Sequence, residues 1–263
     1  MSWLYSPALM NDGSSQLRAT NGRAFAESRE FDRLASSYDA LLQDPLRDRF
    51  VSRPDFFHRR KWSLIQSFLD SARLDPGQMD WLDVGCGRGE LLNLGVNHFR
   101  LAQGCEPSQE MIRHGQGRIH WQPELNRLPF ESSTYDFITA VCVFHHVPPP
   151  SRPALVSEVM RLLRPGGIFC VIEHNPWNPV TSWIVSRSPV DQDAHLLSAP
   201  TTTGLARTAG FEAVDTRYFL YTPEKWYRQL AWLEDLFKYV PAGGQYAVFA
   251  RKPAISGSGV RRP

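Results

Sequence analysis

The sequence predicts an α/β protein built on a doubly wound, mostly parallel seven-stranded sheet, with an antiparallel last strand and helical cover segments. Three observations predict it. From Asp80 onward, short β-branched and aromatic runs alternate with helix-period stretches, as parallel strands joined by crossover helices require. A glycine-rich turn, DVGCGRGE over residues 83–90, follows the first of these runs and opens a helix. The last two strand-like runs, FEAVDTRYFLY and QYAVFAR, both follow the final crossover helix, which points to an antiparallel edge.

Taken in order, Phe31, Leu34, Ala35, Tyr38, Leu41 and Leu42 recur at three- and four-residue steps, an amphipathic helix. Trp62, Ile65, Phe68, Leu69 and Ala72 repeat that pattern until Pro76-Gly77 stops it. MDWLDV is the first strand, and a helix spans Glu90 to Asn97. RLAQGCE is the second strand and leads into a helix through Met111; RIHWQ is the third and YDFITAVCVF the fourth. A helix over 151–163 ends at Arg164-Pro165-Gly166-Gly167, and GIFCVIEH is the fifth strand. Thr201 to Ala209 form a helix closed by Gly210. The long stretch PEKWYRQLAWLEDLFKYVP is helical in period, with Trp226, Leu230, Leu233 and Phe237 expected to pack mostly on the core. These signals divide the chain into a flexible N-terminal arm (1–30), a helical cover (31–76), a core (77–252) with inserts at 174–200 and 220–244, and a flexible tail (253–263).

Composition bounds the function. With 263 residues, 42% hydrophobic and 21% charged, the chain can bury a full core without disulfides or metals. A net charge of +2 is too small to argue for nucleic acid or an anionic membrane. No apolar run approaches the roughly 18 residues of a membrane span, and Met1 to Met10 lack a signal-peptide pattern, so no integral membrane segment and a cytoplasmic location are expected. Cys86, Cys105, Cys142 and Cys170 lie far apart with no C-x-x-C pair, so buried thiols and no metal site are expected.

The glycine turn carries the chemistry. Backbone N–H groups at such a turn and the helix that follows it favour a nucleotide-like ligand. Glycines at 85, 87 and 89 do not fit the dinucleotide spacing, and Glu90 at the helix start disfavours a pyrophosphate. No Gly-Lys-Ser/Thr follows, which excludes a P-loop. Asp83 ends the strand beside the turn and suits a ligand bearing an ammonium.

An acidic residue followed by G-x-G-x-G resembles the first motif of the class I S-adenosylmethionine-dependent methyltransferases, and the resemblance runs from about Phe31 to Lys252. It implies a Rossmann-like methyltransferase fold and S-adenosyl-L-methionine as cofactor, with S-adenosyl-L-homocysteine as product. It implies that Asp83, Gly85, Cys86, Gly87 and Gly89 cradle the cofactor, that Glu106 beside Pro107 holds the two ribose hydroxyls, and that Met111 packs on adenine. In WQPELNRLPF, similar to the family pattern G-D-A-x-x-L-P-F, Glu124 takes the position that accepts from the adenine amino group and Leu125 supplies a backbone N–H. Glu for Asp and Leu for Ala are departures from the pattern. Val141 and Cys142 line the methionine end, and Tyr38 is either near the sulfonium or plain helix core.

Acceptor-facing residues come from the carboxyl ends of the fourth and fifth strands. His145, His146, Glu173, His174 and Asn175 lie there. His145 is the expected general base, because imidazole titrates near neutral pH; capping or packing is the alternative for both histidines. Glu173 is either a pocket carboxylate or an orienting partner for a histidine. Trp177 and Tyr38 wall the acceptor, and Arg187, Asp191 and Asp193 hold its polar end or belong to a solvated loop. The run VFHHVPPP lacks the Asp/Asn-Pro-Pro-aromatic motif of amino-methylating enzymes, and no cysteine follows a proline. The expectation is therefore O- or C-methylation of a small, partly apolar or ring-containing molecule, by a monomer or homodimer with no nucleic acid partner. The alternatives are a catalytically silent cofactor-binding partner subunit and, less favoured by the glycine spacing, a nicotinamide-dependent oxidoreductase.

Overall fold

The computed structural model describes Asp32, Arg53, residues 55–191 and residues 193–254. Tyr38 lies outside the described residues, as does the rest of its predicted helix apart from Asp32. Seven strands form one sheet in the order β3-β2-β1-β4-β5-β7-β6. They are β1 (Asp80–Val84), β2 (Leu101–Glu106), β3 (Ile119–Trp121), β4 (Tyr135–Val141), β5 (Leu163–His174), β6 (Glu212–Phe219) and β7 (Gln245–Arg251). The helices that matter are α1 (Phe56–Ser71), α2 (Glu90–Gly95), α3 (Gln109–Arg113), α4 (Arg152–Leu162), α5 (Pro179–Val185), α6 (Ala199–Thr208) and α7 (Glu224–Phe237).

β1 is central because all five of its residues are buried, as a strand covered on both faces must be. It pairs in parallel with β2 and with β4, so the chain winds outward in both directions from it. β7 runs antiparallel to both β5 and β6. The last strand is thus antiparallel, as the sequence predicts: β7 lies between β5 and β6, and β6 forms the edge. The return through α7 carries β7 into the gap that β6 leaves beside β5.

One face of the sheet packs under α4 and α6, through Leu155, Val156, Val159, Leu162 and Ala206. The other packs under α1 and α2, through Ile65, Phe68, Leu69, Leu91 and Leu92. Phe68 stacks on Phe249 of β7 with ring centroids 3.7 Å apart. Trp62 stacks on Trp81 of β1, and a Cβ on Gly95 would stand 2.5 Å from the Trp81 ring. Glycine is thus required where α2 ends against this pair, two residues before the predicted Asn97.

α7 corrects another expectation. Trp226 and Phe237 are exposed, and Leu230 and Leu233 only half-buried. The helix is fastened instead through its polar face. Buried Glu234 accepts from the Arg60 guanidinium and from the Tyr221 backbone N–H, and Arg60 lies 4.0 Å over the Tyr227 ring. No helix among the described residues is long and apolar enough to cross a membrane.

Candidate active site

The sheet order reverses between β1 and β4, and ligands of such sheets lie beyond the carboxyl ends of the strands at that reversal. A cavity of about 950 Å³ opens there. Among its lining residues are Asp83, Gly85, Cys86, Gly87, Glu106 and Pro107, and it continues past Met111, Leu125, Val141 and Cys142 to His145, His146, His174 and Asp191.

The turn after β1 is built by left-handed backbone. Gly85, Gly87 and Gly89 have φ of 65°, 57° and 78°, a region costly for residues with a Cβ. A Cβ on Gly85 would stand 2.7 Å from Val143, and one on Gly89 2.6 Å from the Gln116 carbonyl oxygen. At Gly87 the nearest atom to such a Cβ is Glu90 Oε2 at 3.9 Å, so here the bare backbone faces open cavity. Gly89 precedes α2 and is not part of the wall.

Two buried carboxylates flank this turn. Thr139 Oγ1 donates to Asp83 Oδ1 at 2.5 Å, and Trp81 Nε1 donates to Thr139 Oγ1 at 2.8 Å. Glu106 accepts from the backbone N–H groups of Gly87 and Ser108, each at 3.0 Å. Burial pushes both carboxyls up to about 7, against the hydrogen bonds that favour their charged forms. Ser108 caps α3 by accepting from Met111 N–H, which fixes the buried Met111 beneath the cavity.

Beyond β3 the sequence assignment shifts. Glu124 is exposed and lies outside the cavity wall. Buried Gln122 is in the wall instead; its Nε2 donates to the Glu124 carbonyl at 3.2 Å, while its Oε1 has no hydrogen-bond partner among the described residues. Leu125 lines the cavity. The motif spacing, counted back from Leu128-Pro129-Phe130, lands on Glu124 and so passes over Gln122.

The segment after β4 is held from below. Cys142 turns the chain with φ 57°, and Glu173 Oε1 accepts from the N–H groups of Val143 and Phe144 at 3.0 and 2.7 Å. Glu173 Oε2 meets His145 Nδ1 at 2.5 Å, and His145 Nε2 lies 3.3 Å from Asp191 Oδ1. Glu173 is fully buried and is not in the cavity wall, so it orients His145 and does not face an acceptor. His145 is 1% exposed. Burial opposes its charge, but the Glu173 carboxylate and the Asp191 hydrogen bond outweigh it and raise the imidazole to about 10. A ring with carboxylates at both nitrogens has no free lone pair at neutral pH, which corrects the expectation that His145 is a general base. His146 moves the other way, pushed down to about 3 by burial and by the neighbouring His145 cation.

Lys61 is a site residue that the sequence pattern conceals, because it sits among the core positions of α1. It is 6% exposed, lines the cavity and donates from Nζ to Cys142 Sγ at 3.3 Å. His174 lines the same end, with its Nδ1 3.4 Å from Gln245 Nε2. Asn175 and Trp177 are corrected. Asn175 is buried and donates to the Pro241 and Gly243 carbonyls, tying β5 to the loop before β7. Trp177 is 53% exposed and stands outside the cavity wall.

Known proteins resemble this chain in sequence and in fold. Residues 82–171 match a family model described as a methyltransferase domain. A demethylmenaquinone methyltransferase of Symbiobacterium thermophilum is 30% identical over 156 residues, 54% of this chain and 57% of that protein. A tRNA (carboxymethyluridine(34)-5-O)-methyltransferase of Macaca fascicularis is 31% identical over 149 residues, 55% of this chain and 21% of that one. The chain thus spans between about a fifth and somewhat over half of these two curated relatives. In fold it is similar to a possible histamine N-methyltransferase of Thermotoga maritima, with TM-score 0.59, 17% identity, and 84% and 98% of the two chains covered. With the sheet order and the glycine turn between two buried carboxylates, the matched segment identifies residues 82–171 as a methyltransferase domain, in a fold shared with S-adenosylmethionine-dependent methyltransferases.

Proposed function

We propose that this chain transfers the methyl group of S-adenosylmethionine to an oxygen or carbon of a small, partly apolar molecule. The observation that carries the reading is the pair Asp83 and Glu106, buried on either side of a bare-backbone turn at one end of a cavity of about 950 Å³. In this reading Asp83 takes the cofactor's ammonium, and Glu106 its two ribose hydroxyls. Gln122 Oε1, Met111 and Leu125 offer the adenine a hydrogen-bond acceptor and an apolar bed. When bound, the cofactor supplies an electrophilic sulfonium methyl. The protein's part is to fix the distance and line of attack, which is worth up to about 7–11 kcal/mol in favourable cases.

The acceptor end belongs to Cys142, His146, His174 and Asp191, which line the same cavity beyond Val141. Support for a small acceptor comes from the cavity's size and from a net charge of only +2. One named relative acts on a quinone precursor and another on tRNA, so the acceptor class is part of the test.

Calorimetry with S-adenosylhomocysteine tests the cofactor half. Asp83→Asn and Glu106→Gln are each expected to weaken binding by about tenfold or more, since a charge-assisted hydrogen bond contributes about 1.5–3 kcal/mol. Unchanged affinity in both variants overturns the site. For the acceptor half, methyl-labelled cofactor is incubated with the chain and a cell extract. Label in the small-molecule fraction supports the reading, and label confined to RNA overturns it.

A further inference from the structure

His145, His146 and Asp191 form the one group of three metal-ligating side chains found within mutual reach among the described residues, their ligand atoms all lying within 4.8 Å of one another. All three line the cavity at its acceptor end. We propose that His145 Nε2, His146 Nε2 and an Asp191 carboxylate oxygen bind a divalent metal ion of the zinc class, whose remaining coordination positions take an oxygen of the methyl acceptor.

Geometry carries the argument. Zinc bonds of about 2.0–2.1 Å at tetrahedral angles place neighbouring ligand atoms about 3.3–3.4 Å apart. Here Asp191 Oδ1 lies 3.3 Å from His145 Nε2 and 3.5 Å from His146 Nε2. Two imidazoles and one carboxylate with open positions is a donor set used by catalytic zinc and by non-haem iron, whereas magnesium and calcium prefer oxygen ligands.

The surroundings match as well. A metal-bound histidine ordinarily gives its other ring N–H to a carboxylate, and Glu173 Oε2 holds His145 Nδ1 at 2.5 Å. That carboxylate is itself fixed by two backbone N–H groups. The loop bearing Asp191 is pinned to the same segment: His195 N–H donates to the His145 carbonyl at 2.8 Å, and the Arg152 guanidinium donates to the His195 carbonyl at 2.6 Å.

This inference rests on the methyl-transfer reading; the metal takes His145 Nε2 in place of its proton, which leaves to solvent, while Glu173 keeps the Nδ1 side. An acceptor hydroxyl binds the metal as its oxyanion and its proton leaves to solvent. The oxygen lone pair then forms the O–CH3 bond while the C–S bond breaks, its electrons returning to sulfur. The acceptor class becomes a phenol, enol or hydroxy compound able to coordinate a metal.

The test is metal binding by the full chain, with no activity needed. After dialysis against chelator, the protein is titrated with Zn²⁺ by calorimetry and with Co²⁺ by visible absorption. One ion per chain with a tetrahedral cobalt spectrum is expected. His146→Ala and Asp191→Asn should abolish that binding, and Glu173→Gln should weaken it by about 10–100-fold. Each variant should bind S-adenosylhomocysteine as the parent does, which reports that it is folded. A parent chain that binds neither ion overturns the proposal, as does binding undiminished in both ligand variants. Failure of the parent to bind S-adenosylhomocysteine would sink the methyltransferase reading and leave the metal result standing by itself.

Discussion

Cys142 combines two unusual features. Its backbone is left-handed, φ 57°, in a residue with a side chain, a strain that concentrates at functional turns. Its thiol receives the Lys61 ammonium at 3.3 Å and Gln245 Nε2 at 3.7 Å. Burial pushes the thiol up, but Lys61 and His174 outweigh burial and bring it down to about 6. A thiolate at neutral pH follows. Iodoacetamide should alkylate Cys142 ahead of Cys86, Cys105 and Cys170, half-maximally near pH 6, and S-adenosylhomocysteine should protect it. Peptide mass spectrometry across pH checks this; labelling that rises only near the ordinary thiol value of about 8.5 would contradict it. The spacing of the cysteines predicts buried thiols, and for Cys86, Cys105 and Cys170 burial agrees. The exception depends on a lysine 81 positions away in the sequence.

At the scale of elements, α1 links stability to the site. Its inner face packs Ile65, Phe68 and Leu69 on the sheet, and the same helix delivers Lys61 into the cavity. Arg217 of β6 reinforces the seat by donating to Ser67 and Ser71 of α1. Phe68→Ala would remove a ring stacked at 3.7 Å on Phe249 and leave a void in the tightly packed layer. The expected cost is about 3–5 kcal/mol, read as a lower urea midpoint with an unchanged slope. A midpoint shifted by less than the equivalent of about 1 kcal/mol would show that α1 is not part of the cooperative core. Helical periodicity reveals this packing face. It does not reveal that of α7, whose leucines and tryptophans recur just as regularly but whose contacts run through Glu234, Arg60 and Tyr227.

For the whole molecule, the two flanking carboxylates couple cofactor, proton and fold. Burial raises both above their ordinary values, to about 7, so the folded chain without cofactor binds more protons than the unfolded chain between about pH 4 and 7. Their contribution to stability therefore falls as pH rises through that window. Cofactor affinity runs the opposite way, because an ammonium and ribose hydroxyls want the charged carboxylates. Below about pH 7, affinity for S-adenosylhomocysteine should fall by up to about tenfold per unit for each group, with proton release on binding. Calorimetry in buffers of different ionisation enthalpy measures both effects; a flat affinity and no proton release from about pH 5 to 8 would refute the coupling.

The strand and helix order, the glycine turn, and Asp83 and Glu106 as its flanking carboxylates are all legible in the residues alone, because strand period, turn chemistry and a short motif are local in the chain. Folding in three dimensions was needed to put β7 between β5 and β6, to wall the cavity with Gln122 in place of Glu124, to enclose His145 between Glu173 and Asp191, and to face Lys61 toward Cys142. Each of these depends on which distant segments the sheet brings together and on which groups are shut away from water. Burial and opposite charge at a few ångströms then set protonation, and no spacing along the chain encodes either.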